Sequence, residues 1–134
     1  MDAISTAGRV VLGLACAAFV LSSRAAEPAP SFSKQVQPIL DANCVACHQS
    51  ASAQQGLVLE TELAYGNLSK SSSEIPAMKL VQPGSAEESY LYRKLAGTHL
   101  DVGGRGVRMP LGSALANEDI DAIRRWIKAG AKND

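Results

Sequence analysis

The sequence predicts an all-α protein, and three observations carry that expectation. Apolar residues recur at helical spacing in two segments, Phe32 to Asp41 and Asn117 to about Ala129. A Ser-x-x-Glu pattern, which reads as a helix start, precedes a third apolar stripe. No internal repeat and no pair of alternating strands is evident.

The chain opens on what reads as an address. Arg9 precedes the apolar run Val10 to Leu21, and the small-residue stretch Ser22 to Ala26 follows it, so residues 1–25 are expected to be a signal peptide cut after Ala25 or Ala26. The run is shorter than the roughly 20 apolar residues of a membrane span, which leaves an uncleaved anchor as the lesser alternative. Cys16 lies inside the run and reads as a small residue of the signal core rather than as a lipid acceptor. Residues 26–31 form an extended linker, because Pro28 and Pro30 each bias the preceding residue away from helix. The folded domain is expected over 32–131.

Its first helix carries Phe32, Val36, Ile39 and Leu40 on one stripe, with Pro38 kinking or tightening it. Gly56 introduces Leu57 and Leu59, whose alternation fits a site-facing or a core role equally. From Glu60 to Gln82 the pattern weakens. A surface loop is expected there, with a helical turn around Thr61 to Tyr65, a turn at Gly66-Asn67 and a flexible tip at Ser71 to Ser73. Pro83-Gly84 then breaks the chain before Ser85-Ala86-Glu87-Glu88, the capping box of a helix that carries Tyr90, Leu91 and Leu95 and ends near Gly97. The last helix takes Asn117 as N-cap and Gly130 as its stop, with Ile120, Ile123, Trp126 and Ile127 as its buried stripe. Glu118, Asp119 and Asp121 come early in it and Arg124, Arg125 and Lys128 late, the order that suits the helix dipole.

The chemistry is concentrated in Asn43-Cys44-Val45-Ala46-Cys47-His48, a C-x-x-C-H run. Two thiols on one helical turn face the same way and can each add to a vinyl group of one haem, and His48 on that face can reach the iron as an axial ligand. The cofactor expected is one haem c, attached covalently through Cys44 and Cys47. A zinc knuckle is the rival reading, but His99 is the other histidine and Cys16 the other cysteine in the whole chain. A thioredoxin-like redox pair would want a βαβ setting, which is missing from the pattern.

A second axial ligand is sought in the Gly-rich stretch from Gly97 to Gly112. Met109 is the leading candidate, in a loop whose glycines allow close approach and beside the stiffening Pro110. His99, Met78 and an open position are its competitors. Gly103-Gly104-x-Gly106 lacks the ending of a P-loop and follows no strand, so it is not a phosphate cradle. Arg105 or Arg108, or both, are expected to pair with the haem propionates. Arg93, Lys94, Arg105 and Arg108 together could form a basic rim for an acidic partner. The 13 basic and 13 acidic side chains balance, so no global field favours nucleic acid or an anionic membrane.

Taken in order, these features resemble the monohaem cytochromes c. The run Phe32-x-x-x-Val36-x-Pro38-Ile39-Leu40-x-x-x-Cys44-x-x-Cys47-His48 is similar to short domains often called planctomycete-type. So are Gly56-Leu57-x-Leu59, Val81-x-Pro83-Gly84, Ser89-x-Leu91-Tyr92, Met109-Pro110 and Trp126-Ile127-x-x-Gly130-Ala131. The resemblance implies a small cytochrome c fold with helices around one haem, crossing terminal helices, His48 and Met109 as iron ligands, and electron transfer as the function. It also implies attachment of the haem on the periplasmic side, which agrees with the signal peptide. Such a carrier is not an enzyme and needs no catalytic side chain; its partners would be unidentified redox proteins. Two alternatives stay open: a haem subunit of a periplasmic dehydrogenase or oxidase, and a haem sensor with a displaceable sixth ligand.

Overall fold

The computed structural model describes residues 27–134; the signal segment 1–25, Cys16 and Ala26 lie outside the described residues. It is helical, with no strand among those residues.

The chain enters its first helix at Ser31, an extended N-cap whose Oγ accepts from the Lys34 N–H. The first turn, Phe32–Val36, is a π-helix that runs directly into α1, Gln37–Asn43. Pro38 explains the widening. It has no N–H to give the carbonyl of Lys34, four residues back, and its ring crowds that carbonyl. The wider turn places the Val36 N–H on the Ser31 carbonyl and the Gln37 N–H on the Phe32 carbonyl instead. Cys44 ends the helix with its N–H still on the Leu40 carbonyl.

Helix α2 is Ala64–Leu68, with Ala64 and Leu68 buried. Gly66 and Asn67 therefore sit inside a helix and not in the expected turn. The Asn67 N–H bonds the Leu63 carbonyl at 3.0 Å while its side chain is drawn to Val58, a tertiary contact that the local pattern does not record. Ser71 to Ser73 is likewise no loose tip. Ser72 is buried, its Oγ accepts from the N–H groups of Glu74 and Ile75, and Ser71 pairs with Lys79 in an antiparallel bridge.

Helix α3, Tyr90–Ala96, begins later than the capping box suggested. Ser89, buried and extended, is its N-cap. The Ser89 hydroxyl donates to the Ser85 carbonyl at 2.7 Å and accepts from the Gln82 N–H at 2.8 Å, folding 82–89 into a turn. Gly97 closes α3 in the left-handed conformation, at φ +81°. A 3-10 turn, His99–Val102, follows.

Helix α4, Asn117–Lys128, carries acids in its first turn and bases in its last, as expected, with Asn117 its first residue and Ala116 the N-cap. Of its expected stripe, Ile123, Trp126 and Ile127 are buried, the helix packing against the π turn and α3, whereas Ile120 is half-buried. Phe32 stacks near Trp126 and Tyr65, with ring centroids 5.2 and 5.3 Å apart. Trp126 Nε1 donates to the Lys132 carbonyl and the Tyr65 hydroxyl to that of Ala131. The N–H groups of Phe32 and Ser33 bond Asp134 at 2.9 Å, so the start and end of the domain are fastened together. No helix among the described residues is long and apolar enough to cross a membrane.

Candidate cofactor site

Beyond α1 the chain makes one further turn, with the N–H groups of Cys47 and His48 both on the Cys44 carbonyl, at 3.1 and 2.9 Å. That turn puts Cys44, Cys47 and His48 on the wall of a cavity of about 1120 Å³. Ligand pockets commonly hold about 300–1,000 Å³, so this one suits a large group. Leu57, Leu59, Leu80, Leu91 and Leu95 make its lining largely apolar. Met109, from the loop between α3 and α4, also lines it. The four residues picked from the sequence are therefore brought to one cavity.

Their competitors are not. His99 and Met78 lie outside the lining. His99 is buried, and its Nε2 meets the Gly106 carbonyl at 3.2 Å, so the ring fastens the loop. Among the described residues no group of three or more His, Cys, Asp or Glu side chains could hold a metal ion, which leaves the zinc reading without a donor set. Burial first, and Cys47 second, push the free Cys44 thiol up to about 11. Redox-active C-x-x-C thiols have the opposite property, a lowered pKa.

His48 is held by its neighbours in a form suited to ligation. Its Nδ1 lies 3.3 Å from the Leu57 carbonyl oxygen, which can only accept. The proton of the neutral ring therefore sits on Nδ1, and Nε2 keeps a lone pair. The Leu59 N–H meanwhile bonds the His48 carbonyl at 2.7 Å. The segment carrying Leu57 is itself fixed: Asn67 Nδ2 donates to the Val58 carbonyl at 2.8 Å, and Gln37 Nε2 to that of Leu59 at 3.0 Å. Three successive carbonyls thus each receive a side-chain N–H. Gln37 and Asn67 were missed in the sequence, although a glutamine beside the apolar stripe of α1 was a signal.

The Met109 side is built around Glu74. This carboxylate accepts from the Tyr90 hydroxyl, from the Arg105 N–H at 2.9 Å and from Lys94 Nζ at 3.3 Å. Burial pulls its pKa upward, but those three donors outweigh burial and hold it below the usual carboxylate value. Burial, then the neighbouring carboxylate, raise Tyr90. Lys94 spans the gap to the loop, with Nζ on the Arg105 carbonyl at 2.5 Å and its own carbonyl accepting the Met109 N–H at 3.2 Å.

The expected arginine pair divides. Arg105 lines the cavity, whereas Arg108 is turned away, with its Nε on the Leu95 carbonyl and its stem 3.2 Å from where a Cβ on Gly97 would be. A cation serves there as a partner for the last carbonyls of α3. The basic rim is correspondingly thinned. Arg93 bonds the Glu87 carbonyl and Lys94 pairs with Glu74, leaving Arg105 as the exposed member of the four.

The donor set and the cavity fit a covalently held haem: paired thiols, an imidazole whose Nδ1 faces the Leu57 carbonyl, a thioether sulfur and a largely apolar lining. No family model matches the sequence, and no curated protein matches it. Among solved structures, hydrazine synthase of Kuenenia stuttgartiensis contains a segment on which this chain superposes with a TM-score of 0.56 at 24% identity. The match covers 78% of this chain and 16% of that one, and it is a likeness of fold.

Proposed function

We propose that this chain is an exported c-type cytochrome that carries single electrons. Cys44 and Cys47 would attach one haem, and His48 and Met109 would ligate its iron. A haem so held supplies one-electron exchange at its iron. The chain's own residues have the simpler tasks of binding, orienting and excluding water. The Leu57 carbonyl fixes the tautomer of His48, the leucine lining keeps the cavity apolar, and two neutral ligands held in place leave little to rearrange when charge changes. No side chain acts as acid, base or nucleophile in this reading. The signal segment supports export, and the partners would be redox proteins yet to be identified.

The single observation that carries the proposal is the convergence of Cys44, Cys47, His48 and Met109 on one apolar cavity. Expression with haem-attachment machinery tests it. Haem is expected to stay with the denatured chain, and ferric protein to show the methionine–iron charge-transfer band. The Cys44→Ala/Cys47→Ala double variant is expected to lose all covalent haem, and Met109→Ala to lose the band while keeping the haem. A chain that emerged without covalent haem would end the proposal.

The likeness to a segment of a much longer chain favours a second reading, in which the domain is a haem subunit of a periplasmic dehydrogenase or oxidase. Co-purification with such an enzyme distinguishes it from a free carrier.

A further inference from the structure

The geometry points to Glu74 as a positioning residue that holds the Met109 segment against the cavity. The inference rests on Met109 as the proposed ligand, but its carrying observations are independent of the cofactor. Glu74 belongs to the stretch 70–80, far from the loop in sequence, and the loop's other side-chain anchors are the His99 ring at the Gly106 carbonyl and the Arg108 guanidinium on the Leu95 carbonyl. Val107 and Leu111, on either side of Met109, are exposed, and Met109 and Pro110 are half-buried.

Two chains of bonds run from this one carboxylate to the loop. The direct one is the Arg105 N–H on Glu74 Oε2, at 2.9 Å. The other passes through Lys94, whose Nζ lies between Glu74 and the Arg105 carbonyl and whose own carbonyl takes the Met109 N–H. The Tyr90 hydroxyl completes the set, and it also sets how near the loop can come. A Cβ on Gly104 would stand 2.6 Å from that hydroxyl oxygen. Lys94 and Glu74 are mostly sheltered from solvent, with side chains 12% and 18% exposed, so their attraction is less screened than that of a surface pair.

Removing the carboxylate should therefore free the loop locally. Lys94 would lose its counter-ion, the Arg105 N–H its acceptor and Tyr90 its partner, while the Gln37 and Asn67 bonds behind His48 would be untouched. A residue that merely stabilised the domain would loosen both sides alike.

The test compares the wild type with Glu74→Gln and Glu74→Ala, all as full-length exported protein. Glu74→Gln keeps the size and an acceptor oxygen but loses the charge. Amide hydrogen exchange should quicken about tenfold or more at Arg105 and Met109 in Glu74→Ala, the loss expected for a hydrogen bond to a charged group, and less in Glu74→Gln. Exchange at His48 and Leu59 should hold at the wild-type rate. In haem-loaded protein the methionine–iron band should weaken in the same order, and carbon monoxide should bind the reduced form faster. Wild-type exchange at Met109 in Glu74→Ala overturns the inference, and so does equal acceleration on both sides. A wild type without covalent haem would remove the proposed function while the exchange comparison still decided the role of Glu74. A haem-loaded wild type without the methionine band would overturn Glu74 as a ligand-positioning residue.

Discussion

The two walls of the cavity are held by different physics. Behind His48, the carbonyls of Leu57, Val58 and Leu59 are taken by an imidazole and two side-chain amides, with no carboxylate or ammonium group among them. Beside Met109, one carboxylate gathers a hydroxyl, a backbone N–H and an ammonium group, and the ammonium group passes the connection on to the loop. The first arrangement fixes a short segment at every residue. The second fixes a long loop at a few points, through charges. The difference suits the proposed roles, since an attachment site must be rigid, whereas a loop contributing a single ligand can close over the cavity after it is filled. It also means that steric, polar and pH perturbations should reach the two walls unequally.

The largest effect should come from Gly104→Ala. The added carbon would meet the Tyr90 hydroxyl oxygen at 2.6 Å and the His99 carbonyl oxygen at 2.7 Å. The carbonyl belongs to the backbone of the preceding 3-10 turn and the hydroxyl to α3, so the loop must shift to make room. Overpacking of this kind costs about 1–3 kcal/mol. The thermal midpoint should drop by about 4–8 °C for each kcal/mol in a domain of this size. Melting curves measure it, and the methionine–iron band should weaken in parallel. An unchanged midpoint would show that the loop is looser than the contacts at Gly104 imply. The glycine-rich stretch was expected to serve a close approach to the cofactor; at Gly104 the close approach is to the protein itself.

On the His48 side, Asn67→Ala removes the donor to the Val58 carbonyl and leaves it without a protein partner. An unsatisfied polar group of this kind costs about 1–3 kcal/mol, less where water reaches it, as it can at half-buried Val58. The urea midpoint should fall toward the low end of that range. The contrast with Gly104→Ala lies in the spectrum. Asn67→Ala should preserve the methionine–iron band, because its side-chain bonds, to the Val58 carbonyl and from Lys70 Nζ, do not go to the loop. If the band weakened as much as in Gly104→Ala, the two walls would not be independent.

What the sequence discloses about this site depends on how far apart the interacting residues are. Cys44, Cys47 and His48 lie within one turn, so spacing alone announces them, and Met109 is flagged by the glycines and proline around it. Helix α4 was legible through its apolar period and ordered charges, to within a residue at its start. Glu74 meets Arg105 across 31 positions and Gln37 meets Leu59 across 22, and no local pattern encodes either. The capping box at Ser85 shows the converse. It is a sound local signal, yet the buried Ser89 hydroxyl binds Gln82 and Ser85 and moves the start of α3 to Tyr90. Ser71 to Ser73 looked flexible from composition because the buried bonds of Ser72 are invisible there.

The smallest effect is a pH dependence confined to the Met109 wall. Glu74 has a folded pKa below its ordinary value, so the folded state binds its proton less readily than the unfolded chain does. The stability it contributes is complete above the ordinary carboxylate pKa and is lost as pH falls through the lowered folded value. Tyr90 works from the other side. Its pKa is raised in the fold, chiefly by burial and then by Glu74, so its contribution is complete below the ordinary tyrosine value and is lost as pH rises through the raised one. Glu60 and Asp121 are also lowered, by hydrogen bonds from Ser50 and Arg124, and will blur the acid limb of any single curve. The difference in urea midpoint between wild type and Glu74→Gln cancels them, because both proteins carry both groups. That difference should be steady near neutral pH and close toward zero on the acid side, where the wild-type carboxylate is protonated and resembles the amide. Asn67→Ala against wild type should show no such closing, because an amide does not titrate in this range. A Glu74→Gln difference that stayed constant into acid would mean that the carboxylate acts through shape rather than charge, and the contrast between the two walls would reduce to one of packing.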